Sequence, residues 1–115
     1  MRRIVYGMGV VLTTDDVARA LLRLNANAAN LAHTEPVTIP IATDGHTEAT
    51  ADLIIGPGIS MMSEPAPWHG TEPDFSTAAT LLRMNPHYPY QPPTGQATPT
   101  TQLEYDDWDP DLDGY

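Results

Sequence analysis

The side chains of this sequence able to do chemistry are four histidines, fifteen carboxylates and the three serines Ser60, Ser63 and Ser76, with no cysteine among them. The lack of cysteine removes thiolate nucleophiles, thiolate metal sites and disulfides together. No serine stands in a G-x-S-x-G elbow, which is where a hydrolase would expose its nucleophile. His33, His46, His69 and His87 fall singly in four segments, without the close pair spacing that lets one helix or loop present two zinc ligands. His33, near the end of a helical stretch, is explained by the helix dipole. His69, Glu72 and Asp74 are the tightest grouping, but folding would have to converge three ligands from a proline-rich loop. Asp109-Pro110-Asp111-Leu112-Asp113-Gly114 matches the opening of a calcium loop, D-x-D-x-D-G, while the bidentate Glu of its twelfth position is missing after Tyr115. Asp15/Asp16 and Asp106/Asp107 are adjacent pairs, solvated rather than held apart in a pocket as an acid and a base. Gly7-Met8-Gly9 has Leu12 where a dinucleotide fingerprint needs its third glycine, and a chain without lysine has no phosphate-loop lysine. The expectation is therefore no catalytic residue, no cofactor, no metal site and no enzyme.

A different constellation sits near the C-terminus. Five of the eight aromatic residues (Tyr88, Tyr90, Tyr105, Trp108 and Tyr115) follow position 85. Within 103–112, Leu103, Tyr105, Trp108 and Leu112 interleave with Asp106, Asp107 and Asp109. Carboxylates keep such a segment solvated, while Trp and Tyr supply the buried area that anchors an interface. Pro86, Pro89, Pro92 and Pro93 upstream favour an extended spacer. These seven residues are the candidate partner-binding set. They predict a non-enzymatic interaction or accessory protein whose acidic-aromatic arm docks on a larger, basic partner with an apolar groove, such as a component of a macromolecular or phage assembly. The alternative is an acidic DNA mimic, or charge-neutralising inhibitor, in which carboxylates stand in for phosphates against a nucleic-acid-binding protein.

The elements that must carry these residues are limited by size and charge. The chain has 115 residues, 5 Lys+Arg against 15 Asp+Glu, a formal net charge of -10 and 41% hydrophobic residues. One core is all that this length supports. All five Lys and Arg residues are arginines before residue 85, whereas 85–115 hold six acids, six prolines and no Lys or Arg. The composition predicts a domain over 1–84 and a disordered tail over 85–115, proline-rich and then acidic-aromatic. So acidic a chain is unsuited to binding a phosphate backbone directly. Arg2-Arg3 ahead of Ile4–Leu12 looks like the start of a signal peptide, but two glycines interrupt the apolar run and no small-residue cleavage pattern follows. The expected location is cytoplasmic, or virion-associated for a phage protein.

Arg3–Tyr6 and Val10–Thr13 are β-favouring runs around Gly7-Met8-Gly9, read first as a hairpin and otherwise as one kinked strand. Thr14 then caps a helix whose first turn holds Asp15 and Asp16. Val17, Leu21, Leu24, Ala28 and Leu31 form its apolar seam, either packed on its own sheet or shared in a homodimer. Asn25, Asn27 and Asn30 weaken its second half. Val37, Ile39 and Ile41 alternate with polar or small residues, as do Ala49, Ala51, Leu53 and Ile55. A three-residue turn of Thr43-Asp44-Gly45 aligns the two apolar faces, pairing Ile39 with Ala49 and Val37 with Ala51. Pro40 cannot donate to a ladder, which puts its strand at a sheet edge or its nitrogen on the open side. Ile59–Met62 extends the second of these strands, and Asp74 caps a short helix over Phe75–Met84 with Ala78, Leu81 and Leu82 inward. The fold class expected is α+β: a small antiparallel ββαββ sheet on one long helix, a short second helix and an extended tail.

Arg3-Ile4-Val5-Tyr6-Gly7, the capped helix, Val37-Thr38-Ile39-Pro40 and Leu53-Ile54-Ile55-Gly56-Pro57-Gly58 together resemble small α+β proteins of actinobacteria and their phages, over about residues 2–62. The resemblance implies a GC-rich bacterial or phage origin and brings no catalytic residue with it.

Overall fold

The computed structural model describes residues 1–7, 9–43 and 46–89. They form a mixed α+β domain in which a five-stranded antiparallel sheet carries two helices. The elements run β1 (Arg2–Tyr6), β2 (Gly9–Thr13), α1 (Asp15–Asn30), β3 (Glu35–Ala42), β4 (Glu48–Ile55), β5 (Met61–Pro65) and α2 (Ser76–Arg83), and the sheet order is β4-β3-β2-β1-β5.

The first two strands are a hairpin with Ile4 opposite Val11, and Gly7 takes the left-handed backbone of its turn. The next segment is not an extension of β4. Met61–Pro65 crosses to the far side of the sheet and pairs with β1, and Arg3 meets Glu64 across the pair at 2.9 Å. Its sequence, Met-Met-Ser-Glu-Pro, has no alternating pattern, so pairing with β1 rather than local periodicity makes it a strand.

The β3–β4 register keeps the expected alignment of faces but shifts it by one pleat. Ile39 lies opposite Ala51 and Val37 opposite Leu53, joined through a turn over 43–47 instead of three residues. Thr43 closes that turn. Its carbonyl accepts from the His46 N–H, its own N–H donates to the Thr47 carbonyl, and its hydroxyl accepts from the Thr47 N–H. His46 supplies the left-handed conformation, φ 62°. A shift of two residues preserves which side chains face inward, so the apolar faces coincide in either register. Of the two placements expected for Pro40, the edge strand is not found, because β3 lies between β4 and β2; the Pro40 carbonyl accepts from the Thr13 hydroxyl at 2.8 Å. β3 meets β2 at a single register pair, Leu12 with Ala42.

α1 lies on the inner face of the sheet. Val17, Leu21, Leu24 and Ala28 are each 0% exposed and pack with Ile39, Leu53 and Ile55. Leu31, the fifth residue of the expected seam, is the C-cap and is 54% exposed. Four residues of the stripe thus lie in the chain's own core and the fifth does not. At the other end Thr14 occupies the N-cap position without bonding a backbone N–H; its hydroxyl meets Asp16, whose carboxylate accepts from the Val17 N–H.

α2 presents a different face from the one expected. Phe75, Ala79 and Leu82 are buried, whereas Leu81 is exposed and Ala78 half-buried. The i, i+4, i+7 stripe that begins at Phe75 wins because it carries the bulkiest apolar side chain of the segment. Asp74 accepts from the Ser76 N–H as expected of a capping residue, although Phe75 occupies the cap position itself.

A side chain of β1 reaches the edge strand β4 near its end. Ile54, paired across the ladder with Pro36, directs its N–H and C=O outward, and the Tyr6 hydroxyl on β1 takes both at 2.9 Å. Tyr6→Phe removes a donor and an acceptor from this latch while water can still reach Ile54. The expected cost is about 1 kcal/mol, read as a lower urea midpoint with faster hydrogen exchange at the Ile54 amide.

Candidate functional site

The segment that follows α2 is folded against the domain. The boundary expected at 84/85 therefore falls inside packed structure: residues 85–89 lie on the α1–β3 side, and residue 90 onward lies outside the described residues. Asn27, on α1, donates from its amide to the His87 carbonyl at 2.7 Å, and the His87 N–H donates to Asn85 Oδ1 at 2.8 Å. Tyr88 packs against the hydrophobic core. These contacts fix the root of the acidic-aromatic segment.

At this root three ionisable side chains meet. The turn after α1 delivers His33, the first residue of β3 is Glu35, and the segment after α2 delivers His87. Glu35 Oε1 lies 2.8 Å from His33 Nε2 and 3.0 Å from His87 Nδ1. The two imidazoles stack, with centroids 3.8 Å apart and planes 19° from parallel. Asn85 donates to the other carboxylate oxygen, Glu35 Oε2, at 3.0 Å. That amide, with His33 and His87 adding to it against the opposing pull of partial burial, holds the Glu35 carboxyl below its ordinary pKa, so it is a carboxylate at neutral pH. His87 Nδ1 is buried and makes no hydrogen bond, because its close approach to Glu35 lies off the bonding direction.

The turn that presents His33 has its own support. The His33 N–H bonds to the Ala28 carbonyl, and Ala32 takes a left-handed φ of 53° to reverse the chain. Gly56 lies directly beneath: an added Cβ there would stand 2.7 Å from the His33 carbonyl oxygen. Asn25 joins α1 to the same turn after β4, accepting from the Gly56 N–H at 2.9 Å and donating to the Ile59 carbonyl at 3.2 Å. The helix asparagines that lower local propensity are thus tertiary fasteners: Asn25 holds the 56–59 turn and Asn27 the arm root.

The other sequence candidates separate. His69, Glu72 and Asp74 do not converge: His69 is exposed, Glu72 bonds the Met1 amine at 2.8 Å, and Asp74 accepts from the Ser76 N–H. His46 stacks on Trp68 with centroids 4.0 Å apart. Gly7 and Gly9 flank a turn between strands and open no helix. Leu103, Tyr105, Asp106, Asp107, Trp108, Asp109 and Leu112 lie outside the described residues. The cluster of His33, Glu35 and His87 escaped sequence reading because its members come from separate segments; the one local signal was His33 two residues before Glu35.

A second feature is a cleft of about 420 Å³ between α1 and the β1–β5 pair, where Arg2, Arg19 and Arg23 converge beside Asp15. Arg2 is oriented there by Ser63, donating to its hydroxyl at 2.8 Å and its carbonyl at 3.0 Å. No described helix is long and apolar enough to cross a membrane. Comparison of the chain with protein-family models, curated proteins and solved structures finds no match.

Proposed function

We propose that this is a non-enzymatic interaction protein: the domain over 1–89 serves as a compact base, and residues 90–115 serve as an arm that docks on a larger, basic partner. The observation that carries this reading is the concentration of Leu103, Tyr105, Trp108 and Leu112 among Asp106, Asp107 and Asp109, beyond a proline-rich spacer. The packed root at Asn85–Tyr88 supports it, since an arm anchored at one end loses less freedom when its other end binds. The arginine cleft favours this reading over a nucleic-acid mimic, because a mimic needs a continuous negative surface and three of the five arginines line this one cleft.

The experiment compares the partners captured by the full chain with those captured by a chain ending at Pro89, a truncation that spares the packed root. Partners are expected to be lost with residues 90–115. On a purified partner, Trp108→Ala is expected to weaken binding by at least about 30-fold, the scale of an anchor residue worth about 2 kcal/mol. Undiminished capture by the shorter chain overturns the arm. Binding that falls steeply with salt but tolerates Trp108→Ala assigns the charge-mimic reading instead.

A further inference from the structure

We propose that His33, Glu35 and His87 form a binding site for a divalent transition-metal ion of the zinc class, at the point where the arm leaves the domain. The donor atoms His33 Nε2, Glu35 Oε1 and His87 Nδ1 all lie within 4.8 Å of one another. Two imidazoles and one carboxylate suit Zn²⁺, Co²⁺ or Ni²⁺, whereas Ca²⁺ and Mg²⁺ require a cage of oxygens.

The surroundings of the cluster are those of a ligand set already oriented. Asn85 engages Glu35 Oε2 and leaves Oε1 directed at the two rings, the outer contact that commonly aims a ligating carboxylate. Asn27 and Asn85 hold the backbone of His87, and the Gly56 contact supports the turn bearing His33. His87 Nδ1, buried without a hydrogen bond, has a lone pair available once the ring is the Nε2–H tautomer. Buried nitrogens are rarely left unpaired, and a bound cation completes this one.

The spacing also says what must move. Tetrahedral ligands at about 2.1 Å from a metal lie about 3.4 Å from one another. The separations of 2.8 and 3.0 Å must therefore open by about half an ångström, and the rings must turn out of their stack. Both rings have room to do so, with side chains 38% and 31% exposed. Three protein ligands leave a fourth position for water. A bound ion would tie the α1–β3 turn to the segment after α2, stiffening the arm root. This inference stands apart from the arm's docking, since the site lies wholly within residues 33–87.

The test uses the full chain. Zn²⁺ is titrated calorimetrically and Co²⁺ by visible absorption, alongside thermal melts with each ion. The expected result is one ion per chain, a rise in Tm at saturating Zn²⁺, and visible bands of low-coordinate Co²⁺. His87→Ala and Glu35→Gln are each expected to weaken binding by at least about tenfold, the lower end of what even outer contacts contribute. His69→Ala, outside the cluster, is expected to leave affinity unchanged. Glu35→Gln retains the shape of the side chain and guards against loss of fold, checked by circular dichroism. Absence of Zn²⁺-dependent heat and Tm shift overturns the site and leaves a hydrogen-bonded stack only. Binding that survives both cluster substitutions but is lost on truncation at Pro89 also overturns it, placing the ion on the carboxylates of 104–113. Partner capture by the arm is unaffected by either failure.

Discussion

Gly56→Ala is expected to destabilise the protein by roughly 3 kcal/mol, about 15 °C in Tm for a domain of this size. Two effects combine at this position. The backbone φ of +141° is one that side-chain-bearing residues rarely adopt, and a Cβ placed there would lie 2.7 Å from the His33 carbonyl oxygen and 3.0 Å from Thr34 Cα. Both atoms belong to the backbone of a turn already constrained by the Ala28 hydrogen bond and the left-handed Ala32, so they cannot yield as the end of a flexible side chain would. The turn after β4 is held in turn by Asn25, which accepts from the Gly56 N–H inside the protein. Gly58 supplies the control. Its φ is +78°, but nothing lies within 4 Å of its added Cβ, so Gly58→Ala is expected to cost only the conformational penalty of about 1 kcal/mol. Thermal melts of the two variants decide the matter: equal losses would show that close approach to the His33 turn has no part in the effect. Because that turn presents His33, Gly56→Ala is also expected to disturb the contacts of Glu35.

The sequence carried the parts of this fold whose signals are local. Period-two alternation marked β3 and β4, and the rule that both apolar faces must coincide correctly restricted their registers by parity. It could not choose between registers two residues apart, because that choice depends on how Thr43 and His46 close the turn. β5 was misplaced for a related reason: Met61–Pro65 has no pattern of its own and is a strand because the edge of β1 is available to it. Of the inward set Ala78, Leu81 and Leu82 expected for α2, Leu82 is buried and Leu81 is exposed, because packing follows the stripe set by Phe75. The cluster at the arm root was hidden more deeply. A spacing rule finds ligands on one helix or loop, and His33, Glu35 and His87 meet only after two helices and a sheet have formed. Composition shifts sharply near Asn85, and the boundary expected there sets Asn85 and His87, which complete the cluster, on the tail side.

Leu24→Ala is expected to cost about 3 kcal/mol, with a loss of about 15 °C in Tm, and the loss is expected to be independent of protein concentration. Leu24 is 0% exposed and belongs to the cluster that joins α1 to Ile39, Leu53 and Ile55 and that also holds Phe75 and Leu82. Its truncation leaves a void in a core too small to share the strain among many neighbours, and it removes apolar burial that tethers α1 to the sheet. Leu24→Met, which conserves volume, is expected to cost less than about 1.5 kcal/mol. The concentration arm of the experiment separates two roles for the same apolar stripe. If Val17, Leu21, Leu24 and Ala28 serve the chain's own core, unfolding is unimolecular and its midpoint is fixed. If they were shared between copies, dilution would lower Tm in the parent protein, and Leu24→Ala would steepen that dependence. A midpoint that moves with concentration would therefore overturn the packing of α1 on its own sheet. It would also remove the support of Asn25 and Asn27, which reach the 56–59 turn and His87 only from a helix seated there.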